Sequence, residues 1–193
     1  MSDLHTLPNH GLGWLDASGE HAGVVLSTRI RLARNLQGHA FGPRARVNDR
    51  EAVLEQIRRA MDKVELLTGS TLLALPDLDH RSRGMLLERR LASRELLGDV
   101  KVGPSRATAV LLAAQDPLSV MVNEEDHLRL QGLVSGLRLK EAWDRVDRLD
   151  EELGQELPFA YHPEFGFLTS CPTNVGSGLR ASVLVHLPGL VLT

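Results

Sequence analysis

The sequence predicts an α+β fold with a largely antiparallel sheet flanked by helices, on three observations. Short runs of branched aliphatics follow one another in hairpin-like order, amphipathic helical stretches interrupt them, and no regular strand–helix–strand rhythm appears. Residues 1–22 are polar and glycine-containing and read as a loose leading segment before one domain over 23–193. Gly23–Leu32 is rich in β-branched residues and alternates from Ser27 onward, so it predicts a strand. Asn48 or Asp49 can cap a helix running to about Gly69, with Val53, Ile57, Met61 and Val64 as its inner stripe. Asp79 caps a second helix over 80–97, with Met85, Leu86, Leu91 and Leu96 inward and an arginine-rich outer face. Val110–Gln115 and Leu118–Asn123, parted by Asp116-Pro117, predict two antiparallel strands, and Leu128–Leu133 a third. Leu139–Leu153 predicts a helix burying Ala142, Val146, Leu149 and Leu153. Phe165–Ser170 and Leu179–Leu187 predict strands on either side of a glycine-rich loop, Cys171–Gly178. The chain is still apolar at Leu187–Thr193, which predicts an ending inside a folded unit.

Composition narrows the function classes. With 42% hydrophobic residues the 193-residue chain can fill a core, and a net charge of −3 argues against a general nucleic-acid binder. A single cysteine excludes an intrachain disulfide and fits a reducing cytoplasm. No apolar run approaches the ~18 residues of a membrane span, so neither a membrane nor nucleic acid is expected as a partner. Of the 22 basic residues only Lys63, Lys101 and Lys140 are lysines. Codon bias explains most of that excess; arginine's planar fork, which grips phosphate or carboxylate bidentately, makes the remainder a question of position.

Three stretches carry residues suited to chemistry. In Ser27-Thr-Arg-Ile-Arg31, strand alternation puts Ser27, Arg29 and Arg31 on one face, about 6.6 Å apart from one to the next, while Thr28, Ile30 and Leu32 face the other way. Two neighbouring guanidiniums on one face accommodate a polyphosphate; the competing reading is a solvent-facing strand edge. Asn123-Glu-Glu-Asp-His-Leu-Arg129 places three carboxylates directly after an apolar strand. It is either a solvated turn or a cleft lining in which a glutamate holds a guanidinium and accepts its proton. The run lacks the glycine and twelfth-position glutamate of an EF-hand. Arg129 would emerge near any anion held by Arg29 and Arg31. In Thr169-Ser-Cys-Pro-Thr-Asn-Val-Gly-Ser-Gly-Leu-Arg180, the glycines permit close backbone approach and Arg180 adds another fork. Cys171 reads either as a small buried hydrophobe or, given its polar neighbours, as a reactive thiol. There is no P-loop signature. Together the stretches suit phosphoryl transfer around a nucleotide.

The chain resembles the ATP:guanido phosphotransferases in Leu26–Arg34, Val122–Arg129 and Leu168–Val183, which occur in the family's order with compatible gaps. It is similar to the bacterial protein-arginine kinases rather than the phosphagen kinases, because only about 25 residues precede the first stretch. The resemblance implies a catalytic domain of the glutamine-synthetase/guanido-kinase type, present in part over 23–193. It implies that Ser27, Thr28, Arg29, Ile30 and Arg31, with Arg129 and Arg180, Ala181, Ser182, Val183 and Leu184, line the ATP phosphates. It also implies that Glu125, with Glu124 nearby, holds and deprotonates a target guanidinium, and that Cys171 as a thiolate orients it. Arg90 stands where the bacterial enzymes have a nucleotide-contacting histidine, and Leu184 where phosphagen kinases have another. ATP is implied as co-substrate, with Mg2+ held through it and no metal ligand from the protein. The implied partners are protein substrates with exposed arginines, a zinc-binding activator protein and a Clp chaperone-protease. The family's sequences continue past residue 193 with a further arginine segment, a mobile substrate loop and a phosphoarginine-docking region. A kinase of small guanidino compounds, or a non-catalytic nucleotide-binding module, are the alternative readings.

Overall fold

In the computed structural model, which describes residues 12–99, 103–114 and 118–191, the strand carrying the first arginine stretch lies inside the sheet. This is β1, Val25–Arg34, which pairs antiparallel with β5, Leu128–Ser135, on one side and with β8, Leu179–Val185, on the other. Beyond β5 lie β4 (Leu118–Val122), β3 (Ala109–Leu112) and β2 (Thr71–Ala74), giving the order β2-β3-β4-β5-β1-β8 with every pairing antiparallel. A separate two-stranded ribbon joins β6, Tyr161–His162, to β7, Gly166–Phe167. The helices are α1 (Val47–Met61), α2 (His80–Glu88), α3 (Arg94–Leu97), α4 (Leu139–Glu156) and α5 (Pro188–Val191). No helix among the described residues is long and apolar enough to cross a membrane.

Strand alternation divides the sheet into two unlike faces. One presents Ile30, Leu32, Leu111, Val120, Val122, Leu128 and Leu130 to α1 and α4. Helix α4 closes this core with Ala142, Val146, Leu149 and Leu153, all buried, as its 3.6-residue period requires. Each of its larger apolar side chains contributes roughly 1.5–3 kcal/mol. Gly132 in β5 lets α4 come close, since a Cβ there would stand 2.7 Å from Val146 Cγ2. The other face is apolar only over β2, β3 and β4, where Leu73, Val110, Leu112 and Met121 meet Leu86, Leu91 and Leu96. Over β5, β1 and β8 that same face is polar and carries the arginines.

Several sequence expectations are corrected. The first strand is shifted two residues later, and the first helix begins at Val47, where the Arg46 N–H donates to Asp49 Oδ2 at 3.0 Å. That helix stops at Met61, and a 3-10 turn, Glu65–Leu67, carries the chain on towards Gly69. Asp79 caps α2 as expected, accepting from Ser82 N at 2.7 Å. The single helix expected over 80–97 is broken, because Arg90 adopts φ 60° and Ser93 caps a new turn, α3. The strand expected over 165–170 shrinks to Gly166–Phe167, since Leu168 O turns to accept from Asn35 just after β1 and the Ser170 N–H donates to Asp126 in the turn before β5. Trp14 is buried, so part of the leading segment is packed against the sheet rather than loose. The Asp116-Pro117 turn, residues 1–11 and residues 192–193 lie outside the described residues.

Candidate active site

Register on the polar face decides which side chains meet. Arg31 lies opposite Gln131 of β5 and Arg180 of β8, Arg29 opposite Leu133 and Ser182, and Ser27 opposite Ser135 and Leu184. Arg129 pairs with Ala33, one step along the same face from Arg31. From the α2–α3 break, Arg90 reaches over to donate from Nη1 to Ser27 Oγ at 2.8 Å, and Gln131 Nε2 holds the Arg90 carbonyl at 2.7 Å. Arg29 Nε donates to Ser182 Oγ at 3.5 Å. Five guanidiniums thus share one floor. Burial, reinforced by the like charges of Arg31, Arg90, Arg180 and Arg129, lowers the Arg29 pKa to about 10. Burial lowers Arg31 as well, helped by Arg129 and Arg180 and opposed by Glu124, and it lowers Arg90. Arg31 Nε is buried without a partner. Repulsion of this kind is relieved by a bound polyanion.

The floor opens into a cavity of about 660 Å3 whose walls include Arg31, Arg129 and Arg180 together with Glu124, Glu125 and Cys171. The two glutamates, on the turn between β4 and β5, differ in access. Glu124 has a side chain only 2% exposed, bonded to Arg129 Nη1 and to the Ser93 hydroxyl. Glu125 is 44% exposed and holds Arg129 Nη2 at 3.1 Å, so one of its oxygens is free to face an incoming cation. Cys171 Sγ lies 3.0 Å from Thr173 Oγ1 at the cavity wall. The arrangement can grip a chain of phosphates at one end and a guanidinium at the other.

Of the residues expected at this site, the structure brings Ser27, Arg29, Arg31, Arg90, Arg129, Arg180, Ser182, Leu184, Glu124, Glu125 and Cys171 to the polar face or its cavity. It does not bring Thr28, Ile30, Ala181 or Val183 there. Ile30 is buried in the α4-side core, and Thr28 spends its hydroxyl on Gly136 O (2.6 Å) and Arg138 N (3.0 Å). Ala181 and Val183 pair with Ile30 and Thr28 and so share their side of the sheet. Alternation alone separates the two sets. Sequence reasoning missed Ser93, which both caps α3 through Leu96 N at 3.1 Å and donates to Glu124. The Ser-Arg-Glu-Leu pattern signals the cap, but nothing local signals a glutamate 31 residues away. Arg50 on α1 also lines the cavity and was not anticipated.

Fold and site together define an α+β domain with an arginine-lined sheet face beside paired carboxylates. Residues 52–193 match the model of the ATP:guanido phosphotransferase C-terminal catalytic domain, and the chain belongs to that family. It is 43% identical over 195 residues to a protein-arginine kinase of Pelotomaculum thermopropionicum, covering 100% of this chain and 53% of that one. It is 44% identical over 183 residues to a protein-arginine kinase of Symbiobacterium thermophilum, covering 93% and 50%. Among solved structures, the substrate-free duplicated taurocyamine kinase of Schistosoma mansoni superposes with TM-score 0.75 at 28% identity, over 87% of this chain and 24% of that one. The chain spans about half the length of the curated relatives it matches.

Proposed function

We propose that this chain carries the phosphate-gripping and proton-accepting part of an ATP-dependent kinase of arginine side chains in proteins. The observation that carries the reading is the convergence of Arg31, Arg129 and Arg180 with Glu124, Glu125 and Cys171 around one cavity. The protein-arginine kinases to which the chain is similar support the choice of substrate. The nucleotide phosphates lie along the arginine floor, with the γ-phosphoryl at the Arg129 end because the glutamates stand there. Magnesium would arrive with the nucleotide, without a ligand group from the described residues, and would supply neutralisation of part of the phosphate charge.

A target guanidinium docks against Glu125, the carboxylate open to the cavity, while Glu124 fixes Arg129. Arginine holds its proton too firmly to lose it beforehand. The proton therefore passes from the attacking nitrogen to Glu125 as that nitrogen bonds the γ-phosphorus. The bond from that phosphorus to the β–γ bridging oxygen breaks, and ADP leaves with the electron pair. The arginine floor stabilises the charge in flight, and Cys171 orients the guanidinium. A reducing cytoplasm belongs to the same proposal, supported by the lone cysteine; a zinc-binding activator and a Clp protease consuming the marked proteins belong to it through the resemblance to bacterial protein-arginine kinases alone.

The test is transfer of phosphate from ATP to a protein, read as acid-labile phosphoarginine by phosphorus NMR. Glu125→Gln is expected to lower kcat by about 10²–10⁴ while ATP affinity holds. Full activity in that variant removes the proposed base. Faster turnover of free L-arginine than of protein makes the enzyme a small-guanidino kinase, and ATP binding without transfer makes the chain a nucleotide-binding module.

A further inference from the structure

Behind the glutamates lies a buried polar cluster that plays no part in the chemistry above. It joins three loops: residues 35–42 after β1, residues 123–127 between β4 and β5, and residues 168–171 before the glycine-rich turn. Asp126, 1% exposed, accepts at Oδ1 from Asn35 Nδ2 and from the Ser170 backbone N–H, each at 2.7 Å. Asn35 also donates to Leu168 O at 3.1 Å and accepts the His127 N–H at 2.9 Å. His127 accepts the Leu36 N–H at Nδ1 (2.9 Å), so its proton sits on Nε2, which faces Ala40 O at 3.1 Å. Burial lowers the His127 pKa and favours that neutral form. Ser170 Oγ donates in turn to the carbonyl of Glu125 at 2.7 Å. Gly42 presses against the same carbonyl; a Cβ there would collide with Glu125 O and with Ser170 Oγ.

Geometry explains what the cluster does. Ser170 precedes Cys171, and Asp126 follows Glu125, so a single carboxylate oxygen joins the peptide next to the thiol to the peptide next to the open glutamate. We propose that Asp126 is a positioning residue, which through Oδ1 fixes the backbone carrying Glu125 against the backbone carrying Cys171, so that carboxylate and thiol meet one guanidinium at a set separation. Asp126 Oδ2 is buried without a partner, so the carboxylate is held by one oxygen only. Its role is therefore to accept two hydrogen bonds, and a carboxamide serves as well. The kinetic part of this inference rests on the phosphotransferase reading; the structural part does not.

The experiment compares Asp126→Ala with Asp126→Asn in the 193-residue protein. Asp126→Asn keeps the Oδ1 acceptor and is expected to retain kcat within about threefold. Asp126→Ala removes the Oδ1 bonds to Asn35 and to the Ser170 N–H and leaves Ser170 Oγ on the Glu125 carbonyl as the remaining tie between the loops; a misplacement of about 1 Å is enough to lower kcat roughly 10²-fold. Its ATP affinity is expected to stay within about twofold, because four of the floor arginines stand on β1, β5 and β8 and Arg90 is held by Ser27 and Gln131. In the same variant Cys171 is expected to react several-fold faster with iodoacetamide, a readout that needs no phosphotransfer. Unchanged Cys171 reactivity in Asp126→Ala overturns the proposal even if the kinase reading stands. An Asp126→Asn variant as impaired as Asp126→Ala overturns it too, by making charge rather than bond acceptance the requirement. Where no variant or parent transfers phosphate, the kinase reading fails and the thiol result still decides the latch. Should Asp126→Ala not fold, hydrogen exchange in the unaltered protein decides: protection of the Ser170 amide like that of β5 is expected, and exchange as fast as an exposed loop amide overturns the proposal.

Discussion

With Arg31, Arg90, Arg129 and Arg180 around it, the half-buried guanidinium of Arg29 sits where an unliganded protein gains nothing from a positive charge. Burial is the larger cause of its pKa of about 10, and the neighbouring arginines supply the rest. The charge is retained at neutral pH, so the cost falls on the folded state until an anion arrives. Two effects of opposite sign follow. Arg29→Met removes a cation from a crowded floor and is expected to raise the unliganded melting temperature by about 2–4 °C, equivalent to ~1 kcal/mol in a chain of this size after allowance for solvent screening. The same substitution is expected to weaken ATP binding about tenfold or more, since a charge-assisted phosphate contact contributes roughly 1.5–3 kcal/mol. For the unaltered protein, ATP at 100 times its dissociation constant stabilises by about 2.7 kcal/mol, or roughly 5–10 °C. Scanning calorimetry with and without ATP checks both. An Arg29→Met protein that melts lower and binds ATP normally would show that the floor is ordinary surface.

At the scale of elements, the helix stripes were legible because a 3.6-residue period records burial directly. Val53 and Ile57 of α1, and all four inner residues of α4, lie in the core as their spacing requires, whereas Val64 is buried from beyond the end of α1. The break between α2 and α3 was signalled locally only by the Ser93 cap, and what holds Arg90 there is distant. Gln131 Nε2 holds the carbonyl of Arg90, and Ser27 Oγ receives its guanidinium. That break positions Ser93, and the two helix caps then predict different penalties. Asp79 is exposed and only caps α2, so Asp79→Ala is expected to lower the urea midpoint by the smaller amount. Ser93 caps α3 and also satisfies the nearly inaccessible Glu124. Ser93→Ala is therefore expected to cost about 2–4 kcal/mol, adding an unsatisfied buried carboxylate oxygen to the lost cap. Urea unfolding midpoints measure both, and equal losses would show that Glu124 does not depend on the Ser93 hydroxyl.

For the molecule as a whole, alternation in the sequence separated the two faces of the first strand, but nothing in it showed which strands lie on either side. The stretches around Arg29, Glu125, Cys171 and Arg180 meet at one cavity edge because β1 lies between β5 and β8, a pairing no local pattern encodes. Once that order is known, alternation assigns Ser27, Arg29 and Arg31 inward to the floor and sends Thr28 and Ile30 to the opposite core. The same topology leaves β8 with β1 as its only strand partner among the described residues. On the side away from the arginines, β8 shows Leu179 at 42%, Val183 at 43% and Val185 at 42% exposure. An unpaired edge beside an apolar row is a template for another strand. A two-fold pairing of β8 with its copy centred on Ser182 would set Leu179 against Val185 and Ala181 against Val183, apolar against apolar, and Arg180 against Leu184. The isolated 193-residue chain is therefore expected to associate as concentration rises through about 10–100 μM, within the micromolar-to-millimolar range where exposed edges aggregate. Val183→Lys introduces a charge at the centre of that row and is expected to shift the light-scattering mass towards the monomer value. Because Val183 points away from the floor, ATP affinity should hold in the same variant. A mass that is monomeric at every concentration in the unaltered chain, or association that survives the lysine, would show that this edge is not where copies meet.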